Sequence, residues 1–263
     1  MVKVYFRLRK GWKRLNKDAQ QQVKQYLLSQ RRANGYLNAG GQVDAYYTQF
    51  GKLLEAVILP IKVLWLPKKP LVVKESMGRD TIYAQFFAFL SGDSYILPQA
   101  SDIRNLTLTA VCCVLAMQHQ TGGTLDTSLI SWLKERQDET GGFRSSEVAP
   151  VPDLLSTAVA LFTLWLIGER LRERLRVGER SSGMGDGTSG KATGRRDSGN
   201  MGERLRVGER SSGISRSGIH LQSASRFIEA HWLDIGSFAP TLLDEYSDVE
   251  YLFYGLLALG SDV

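Results

Sequence analysis

The sequence contains little cysteine and no long uninterrupted apolar run. Its two cysteines, Cys112 and Cys113, are adjacent within an apolar stretch. That spacing fits neither a disulfide framework nor a set of metal ligands, and it favours a reducing compartment, so we expect a cytoplasmic protein. The longest apolar stretches, 106–117 and 154–168, are shorter than the roughly 18–20 residues that cross a bilayer, so we expect no transmembrane span.

The first 17 residues, MVKVYFRLRKGWKRLNK, contain no acidic residue. They also lack the apolar core and the small-residue cleavage site of a signal peptide, so we expect no secretory signal. We interpret residues 1–17 as a basic N-terminal segment that precedes the folded part of the chain.

The positive charge is concentrated in two places. The chain has 33 Lys and Arg against 27 Asp and Glu, a net charge of +6. Residues 1–32 carry +9 and residues 169–218 carry +5, which leaves −8 on the remainder. A nucleic-acid-binding domain places basic side chains on a folded face beside stacking aromatics, and this distribution does not indicate one. We therefore do not expect a nucleic-acid partner.

Residues 169–218 contain no aromatic residue, yet they hold 11 of the 26 glycines and 19 charged residues. Such a composition cannot bury enough apolar surface to offset the entropy of ordering, so we predict a disordered, low-complexity basic insert. The string ERLRVGERSSG occurs twice in it, at 173–183 and 203–213, and indicates a sequence expansion. An alternative is that each copy forms a short amphipathic basic helix that contacts an acidic partner or a membrane.

Residues 18–168 and 219–263 contain a faint repeat of paired helices. In each copy an amphipathic segment is followed by a glycine break and then by a segment that is apolar nearly all round. The segments that are apolar nearly all round must be covered on every side by other parts of the protein, whereas the amphipathic segments can face water. This predicts an inner and an outer helix layer and an all-α fold. The second helix of each pair is expected to begin at an aspartate that accepts backbone N–H bonds at the N-cap, namely Asp44, Asp102, Asp153 and Asp248.

Three segments carry a resemblance to a known family: LLSQRRANGYLNAGGQVDAYYTQFGKL, LKERQDETGGFRSSEVAPVPDLLSTAVALFTLWLIG and SDVEYLFYGLLALG. They resemble the repeats of the prenyltransferase and squalene-cyclase (terpenoid cyclase) superfamily, and the shared element is best kept at Gln137, Gly141, Gly142 and Phe143. The resemblance implies an α/α toroid of helical hairpins. Four hairpins are visible, fewer than this family uses for a full ring, which implies an open or incomplete barrel.

The catalytic groups of that family are not matched. Protein prenyltransferase β subunits bind zinc through an Asp, a Cys two residues later and a distant His; by resemblance these positions are Asp153, Leu155 and Tyr251 here. We therefore expect no zinc or other metal and no cofactor. The acidic motifs Asp-X-Asp-Asp and Asp-Asp-X-X-Asp are absent. The closest acidic cluster is interpreted as a solvated loop followed by a helix cap; it consists of Asp244, Glu245, Asp248 and Glu250.

Aromatic residues on the apolar helices are candidates for the lining of a central cavity. Such a cavity suits an isoprenoid or another apolar ligand, and ordinary core packing is the alternative. The candidate cavity residues are Tyr47, Thr48, Phe50, Asp153, Tyr251 and Tyr254. We expect a ligand-binding toroid; whether it is catalytic, as a transferase or an isomerase, is left open. The alternatives are a non-catalytic interaction scaffold, comparable to a β subunit completed by a partner subunit, and a degenerating or truncated enzyme.

The insert provides a test. Deletion of residues 172–216 is expected to leave the melting temperature nearly unchanged, because disordered residues contribute no packing energy. Differential scanning calorimetry of the full chain and the deletion variant would measure this. A large fall in melting temperature would contradict the predicted disorder.

Overall fold

A computed structural model describes residues 2–59, 106–182 and 219–261, with the backbone alone for 169–182. This part of the chain is mostly helical, as expected. Its helices are α1 (Val2–Arg14), α2 (Lys17–Ser29), α3 (Ala45–Ile58), α4 (Leu108–Gln120), α5 (Thr127–Glu135), α6 (Leu154–Ser182), α7 (Leu221–Ala230) and α8 (Val249–Ser261). Five short strands lie between them, β1 (Arg31–Arg32), β2 (Gly35–Leu37), β3 (Val43–Asp44), β4 (Trp232–Leu233) and β5 (Ser237–Phe238).

Three of the predicted helix pairs are present: α2 with α3, α5 with α6, and α7 with α8. In each pair the predicted aspartate begins the second helix, because its carboxylate accepts N–H bonds that the first helical turn leaves unsatisfied. These bonds are donated to Asp44 by Tyr46 (2.7 Å), to Asp153 by Ser156 (2.7 Å) and to Asp248 by Glu250 (2.9 Å).

The remaining predicted pair is described only in its second helix. The segment TIYAQFFAFL, Gly92 and Asp102 lie outside the described residues. The second helix, α4, begins at Leu108, and its N-cap is Thr107, whose hydroxyl accepts a bond from the N–H of Ala110 (3.4 Å). The prediction that Asp102 begins this helix is therefore wrong, and a threonine five residues later takes the same role.

The predicted glycine breaks form short antiparallel pairings. Strands β1, β2 and β3 are paired in that order, β4 pairs with β5, and isolated bridges join Phe143 to Gln137 and to Asp153. Gly141 (φ +93°) and Gly236 (φ +88°) occupy the left-handed region that glycine adopts without a steric penalty. The small strands were not predicted, because the turns contain too few residues to show an alternating pattern.

Each break places a buried aromatic ring beneath the helix that follows. These rings belong to Tyr36, Phe143 and Phe238. The ring of Tyr36 lies against Gly51, and that of Phe238 lies against Gly255. Both glycines come seven residues after the capping aspartate, and the corresponding residue of the α5–α6 pair is the fully buried Ala160. A small residue at this position therefore lets the helix approach the turn.

The helices of the predicted inner layer differ from one another in burial. In α8, 11 of 13 residues are buried, and in α4, nine of 13 are buried, whereas α3 has three buried residues. In each of the amphipathic helices α2, α5 and α7, three residues are buried. Helices α4 and α8 therefore lie in the interior, whereas α3, which was also expected there, is no more buried than the amphipathic helices.

Helix α1 belongs to this body, which corrects the expectation that residues 1–17 form a separate segment before the folded part of the chain. It packs against α8 and α3, and its Leu8 is fully buried. At the crossing with α8, Gly11 faces the backbone of Leu256 and Gly260 faces the backbone of Arg7, so closely that a Cβ at either glycine would overlap with a carbonyl group. The two glycines allow the helix backbones to touch.

Two arginines of α1 bind the last carbonyls of α8. Arg7 donates to the carbonyl of Gly260 (3.0 Å), and Arg14 donates to that of Leu259 (2.7 Å). The guanidinium of Arg7 also lies 3.6 Å from the ring centre of Trp165 on α6. Cations at a helix C-terminus satisfy exposed carbonyls and oppose the helix dipole.

Helix α6 continues to Ser182, which is 14 residues into the predicted disordered insert that starts at 169. Over residues 173–182 its helical backbone agrees with the alternative proposed for the first ERLRVGERSSG copy. Residues 183–218 lie outside the described part of the chain. Within that part, no helix is long and apolar enough to cross a membrane.

The α1–α8 crossing can be tested by the substitution Gly11→Ala. Alanine normally stabilises a helix interior by roughly 0.5–1 kcal/mol relative to glycine, but here its Cβ meets the Leu256 carbonyl. We expect a loss of about 1–3 kcal/mol in the free energy of unfolding, measured in urea. Gly123→Ala is the control, because a Cβ there makes only ordinary contacts. A stabilised G11A variant would contradict the close crossing.

Candidate functional site

The N-terminal halves of α3 and α8 bring polar and aromatic side chains together. Helix α3 packs on α8, and the hydroxyl of Tyr46 donates a hydrogen bond to Oε1 of Glu250 (2.6 Å). The hydroxyl of the adjacent Tyr47 lies close enough to Asp248 to stabilise its carboxylate. The first and last predicted helix pairs therefore meet at this point, although 204 residues separate Tyr46 from Glu250 in sequence.

Five aromatic side chains form a continuous cluster here, which we call the aromatic group: Tyr46, Tyr47, Phe50, Phe253 and Tyr254. The ring centroids of Tyr46 and Phe50 are 4.9 Å apart, and those of Phe50 and Phe253 are also 4.9 Å apart. Tyr254 lies 5.8 Å from Phe50 and 5.4 Å from Phe253. Most of these contacts are edge to face, the arrangement that aromatic quadrupoles favour.

The aromatic group is not completely covered. Phe253 is 7% exposed, whereas Phe50, Tyr47 and Tyr254 are only partly buried. Tyr251, which follows Glu250 on α8, is also half-buried. The rings therefore leave a partly accessible aromatic surface at the contact of α3 with α8.

Two carboxyl groups beside the aromatic group are buried. Asp248 is 3% exposed and Glu250 is 8% exposed. Burial raises the pKa of both groups, because it penalises the charged form. For Asp248, the N–H groups of Tyr251 and Glu250 oppose this rise; for Glu250, the hydrogen bond from Tyr46 opposes it and the charge of Asp248 adds to it.

Neither carboxylate contacts a lysine or an arginine within the described residues. Asp248 is compensated by backbone N–H groups at the start of α8. Glu250 has one phenol donor, so it is the less well compensated of the two. This places a weakened acid against an aromatic surface.

Asp153 lies at the corresponding start of α6 and has a structural role there. Both its carboxylate oxygens are bound by Ser156, one by the backbone N–H and the other by the hydroxyl. Burial raises its pKa, and the nearby His231 lowers it. His231 is 1% exposed, burial lowers its pKa, and its Nδ1 donates to the carbonyl of Phe227 (2.8 Å). The electrostatic interaction of Asp153 with His231 links the start of α6 to the end of α7.

The structure divides the sequence candidates into two sets. Tyr47, Phe50 and Tyr254 lie in the aromatic group, and Tyr251 is next to it. Thr48 is used by the turn instead, since its hydroxyl accepts from the N–H of Tyr36 (2.9 Å) and donates to the carbonyl of Asp44 (2.6 Å). Thr157 makes the same two bonds, to Phe143 and Asp153, so this threonine is part of the repeat.

The four acidic residues of the predicted cluster also differ in burial and in role. Glu245 is exposed, Asp244 is partly exposed, and Asp248 is a helix cap, in agreement with a solvated loop and a cap. Glu250 differs, because it is buried against α3 and bound by Tyr46. The signal for it in the sequence is a lone acidic residue in an otherwise apolar helix, which is costly to bury without a purpose.

The positions that correspond to zinc ligands are Asp153, Leu155 and Tyr251. Within the described residues, no group of three or more His, Cys, Asp and Glu could hold a metal ion. Cys112 and Cys113 are buried, and burial raises the pKa of the Cys112 thiol to about 12. They are therefore poor nucleophiles, as expected for small core residues.

A separate cleft of about 340 Å³ lies where the α1–α2 turn meets α7 and β4. Arg14, Glu229, Trp232 and Leu259 contribute to its walls. The cleft contains none of the residues of the aromatic group. It is therefore distinct from the site between α3 and α8.

The buried carboxyl groups predict a pH dependence. Folding raises the pKa of such an acid. Between its unfolded and its folded pKa, the native state still holds a proton that the unfolded state has lost, so the free energy of unfolding falls as the pH rises. Glu250→Gln removes one such group and keeps an acceptor for Tyr46. We expect the variant to gain stability relative to the wild type between pH 4.5 and 7, by at most about 1.4 kcal/mol per pH unit. Urea unfolding at both pH values measures this.

The control for this prediction is Glu229→Gln on the exposed side of α7. It removes the same charge without removing a buried acid, so its stability difference from the wild type should change little over this pH range. Equal pH dependence in both variants would contradict the assignment of Glu250 as a buried acid with a raised pKa.

Sites, rather than folds, determine what a protein does. The site between α3 and α8 combines a partly open aromatic surface, a buried acid bound by a phenol and an aspartate held by a helix N-terminus. Comparison of the chain with models of protein families, with curated proteins and with solved structures finds no match.

Proposed function

We propose that the protein is an α/α toroid of the prenyltransferase and terpenoid-cyclase type that binds an isoprenoid or another apolar molecule on the inner face of its helices. The order of helix contacts supports the toroid. Helix α4 packs on α6, α6 on α8, α8 on α1, and α1 on α3. Helix α8, from the last predicted pair, therefore contacts α1 and α3, from the N-terminal part of the described residues, as the two ends of a ring do.

The turn glycines give independent support for a cyclic order. Gly141, in the turn of the α5–α6 pair, packs on the backbone of Ser223 and Ala224 in α7. Gly236, in the turn of the α7–α8 pair, packs in the same way on Gln22 and the next residue in α2. Each turn thus contacts the outer helix of the following pair, and the first pair follows the last.

The observation that carries the ligand proposal is the partly uncovered aromatic group. Phe50 and Tyr254 lie on apolar helices and are surrounded by core residues, yet both retain accessible surface. An apolar ligand would cover this surface at a gain of about 25 cal/mol per Å² removed from water. Glu250 and Tyr46 would then contact the ligand's polar end, if it has one. No catalytic role is assigned to either residue.

Mass spectrometry of lipids that co-purify with the full chain tests the proposal. We expect an isoprenoid or a similar apolar molecule, and we expect tritium-labelled farnesol to bind saturably and raise the melting temperature. Phe50→Ser should reduce farnesol binding at least tenfold, because it replaces an aromatic contact with a hydroxyl. Ile235→Ser is the matched control, since it changes an apolar residue that is 52% exposed.

Circular dichroism would establish that the F50S variant is folded. Wild-type protein that is folded, free of lipid and unresponsive to farnesol would overturn the proposal. Equal loss of binding in both variants would also contradict a site at Phe50.

A second candidate function, an interaction scaffold completed by a partner subunit, is favoured by the loops that precede α6 and α8. The two loops are joined by a hydrogen bond from the N–H of Leu154 to the carbonyl of Pro240 (2.9 Å). They expose Val148 (91%) and Leu243 (84%), and Tyr246 is 53% exposed. Exposed apolar residues grouped on neighbouring loops are typical of contact surfaces. Folded protein without any bound lipid would favour this alternative.

A further inference from the structure

Helix α1 has a solvent face that its packing against α8 and α3 does not explain. The residues on this face recur at the spacing of one side of a helix: Lys3, Phe6, Arg9 and Lys13. All four are exposed, and Phe6 is 59% exposed. The helix contains no acidic residue. The result is a basic face with a phenylalanine at its centre, which we call the α1 face.

One cation of the α1 face, Lys3, lies 5.9 Å from the ring centre of Trp165 on α6. Arg9 and Lys13 make no hydrogen bond or ion pair within the described residues. By contrast, Arg7 and Arg14 on the adjoining side of α1 bind the last carbonyls of α8. The helix therefore divides its cations between an internal and an external role.

The exposed ring of Phe6 indicates what the external role is. A phenylalanine that is 59% exposed forgoes part of the free energy that its burial would contribute. This phenylalanine also lies between basic residues. An anionic lipid surface matches both features, because phosphate and carboxylate headgroups attract Lys and Arg while an aromatic ring enters the headgroup boundary.

We propose that the α1 face binds the surface of an anionic membrane, with Arg9 and Lys13 on lipid headgroups and Phe6 inserted between them. This binding is peripheral. It is also independent of the ligand proposed for the inner face, because none of its residues belongs to the aromatic group.

The shape of the face favours lipid over nucleic acid. Proteins that bind single strands use a groove and several aromatic platforms on which successive bases stack. The α1 face is one side of a single helix, so it is convex, and it has one exposed aromatic ring. A convex basic surface with one inserting side chain is sufficient for a membrane.

Sedimentation of the full chain with vesicles tests the proposal. We expect binding to vesicles of phosphatidylcholine with phosphatidylserine, little binding to phosphatidylcholine alone, and release by salt. Each basic residue near such a surface contributes about a fivefold change in affinity at low ionic strength. The double variant Arg9→Glu with Lys13→Glu should therefore bind at least about 25-fold more weakly, and Phe6→Ala should bind several-fold more weakly.

The matched control is Arg32→Glu with Arg226→Glu, two exposed arginines outside α1. It produces the same change in net charge, so it should reduce binding far less if the α1 face is the contact. Circular dichroism would establish that the variants are folded, which is expected because the substituted side chains are exposed. The proposal would be overturned by failure of the wild type to sediment with phosphatidylserine vesicles, by equal loss in the control, or by displacement from vesicles by a single-stranded oligonucleotide at lower concentration than by soluble inositol phosphate.

Discussion

The burial of α8 is the constraint on which the rest of the structure depends. An apolar helix must be covered on every side, and α8 is covered by α1, α3, α6 and the β4–β5 turn. Its two glycines allow these close contacts: the ring of Phe238 packs against Gly255, and the backbone of α1 packs against Gly260. Because α1 and α3 are held on α8, Tyr46 reaches Glu250 and the aromatic group assembles. Packing of one helix therefore determines the position of the site.

The packing is least favourable at the site between α3 and α8. Asp44, Asp153 and Asp248 are buried or half-buried, and each is compensated by the N–H groups of the helix that it begins. Glu250 receives one bond from a phenol in a region that is otherwise apolar, and beside it several rings remain partly uncovered. Natural sequences accept such local costs mainly where a surface is used for binding or catalysis. For this reason the α3–α8 site, rather than the capping aspartates, is the centre of the proposed function.

Much of the fold could be predicted from the sequence, because the signals are local. The periodicity of VKQYLLS and VEYLFYGLL and the aspartates at positions 44, 153 and 248 identified helices and caps within one or two turns of chain. Other features depend on distant partners. The packing role of Leu8 and Gly11 depends on contacts with residues near 256–260, which are distant in sequence. The N-cap Thr107 was overlooked because a hydroxyl is a weaker sequence signal than a carboxylate. For the same reason Tyr47, Phe50 and Tyr254 could be named as candidate site residues from the sequence, whereas the pairing of Tyr46 with Glu250 could not be predicted.

The contact between α1 and α8 also has a consequence for folding on the ribosome. Synthesis proceeds from the N-terminus, so α1 is made well before its partner α8; Arg7 and Gly260 are 253 residues apart in sequence. Until α8 has left the exit tunnel, α1 can pack on α3 but lacks its contact with α8, and contacts of such long sequence separation form slowly. The Gly11 surface therefore reaches its native partner only after the residues near 260 have been made.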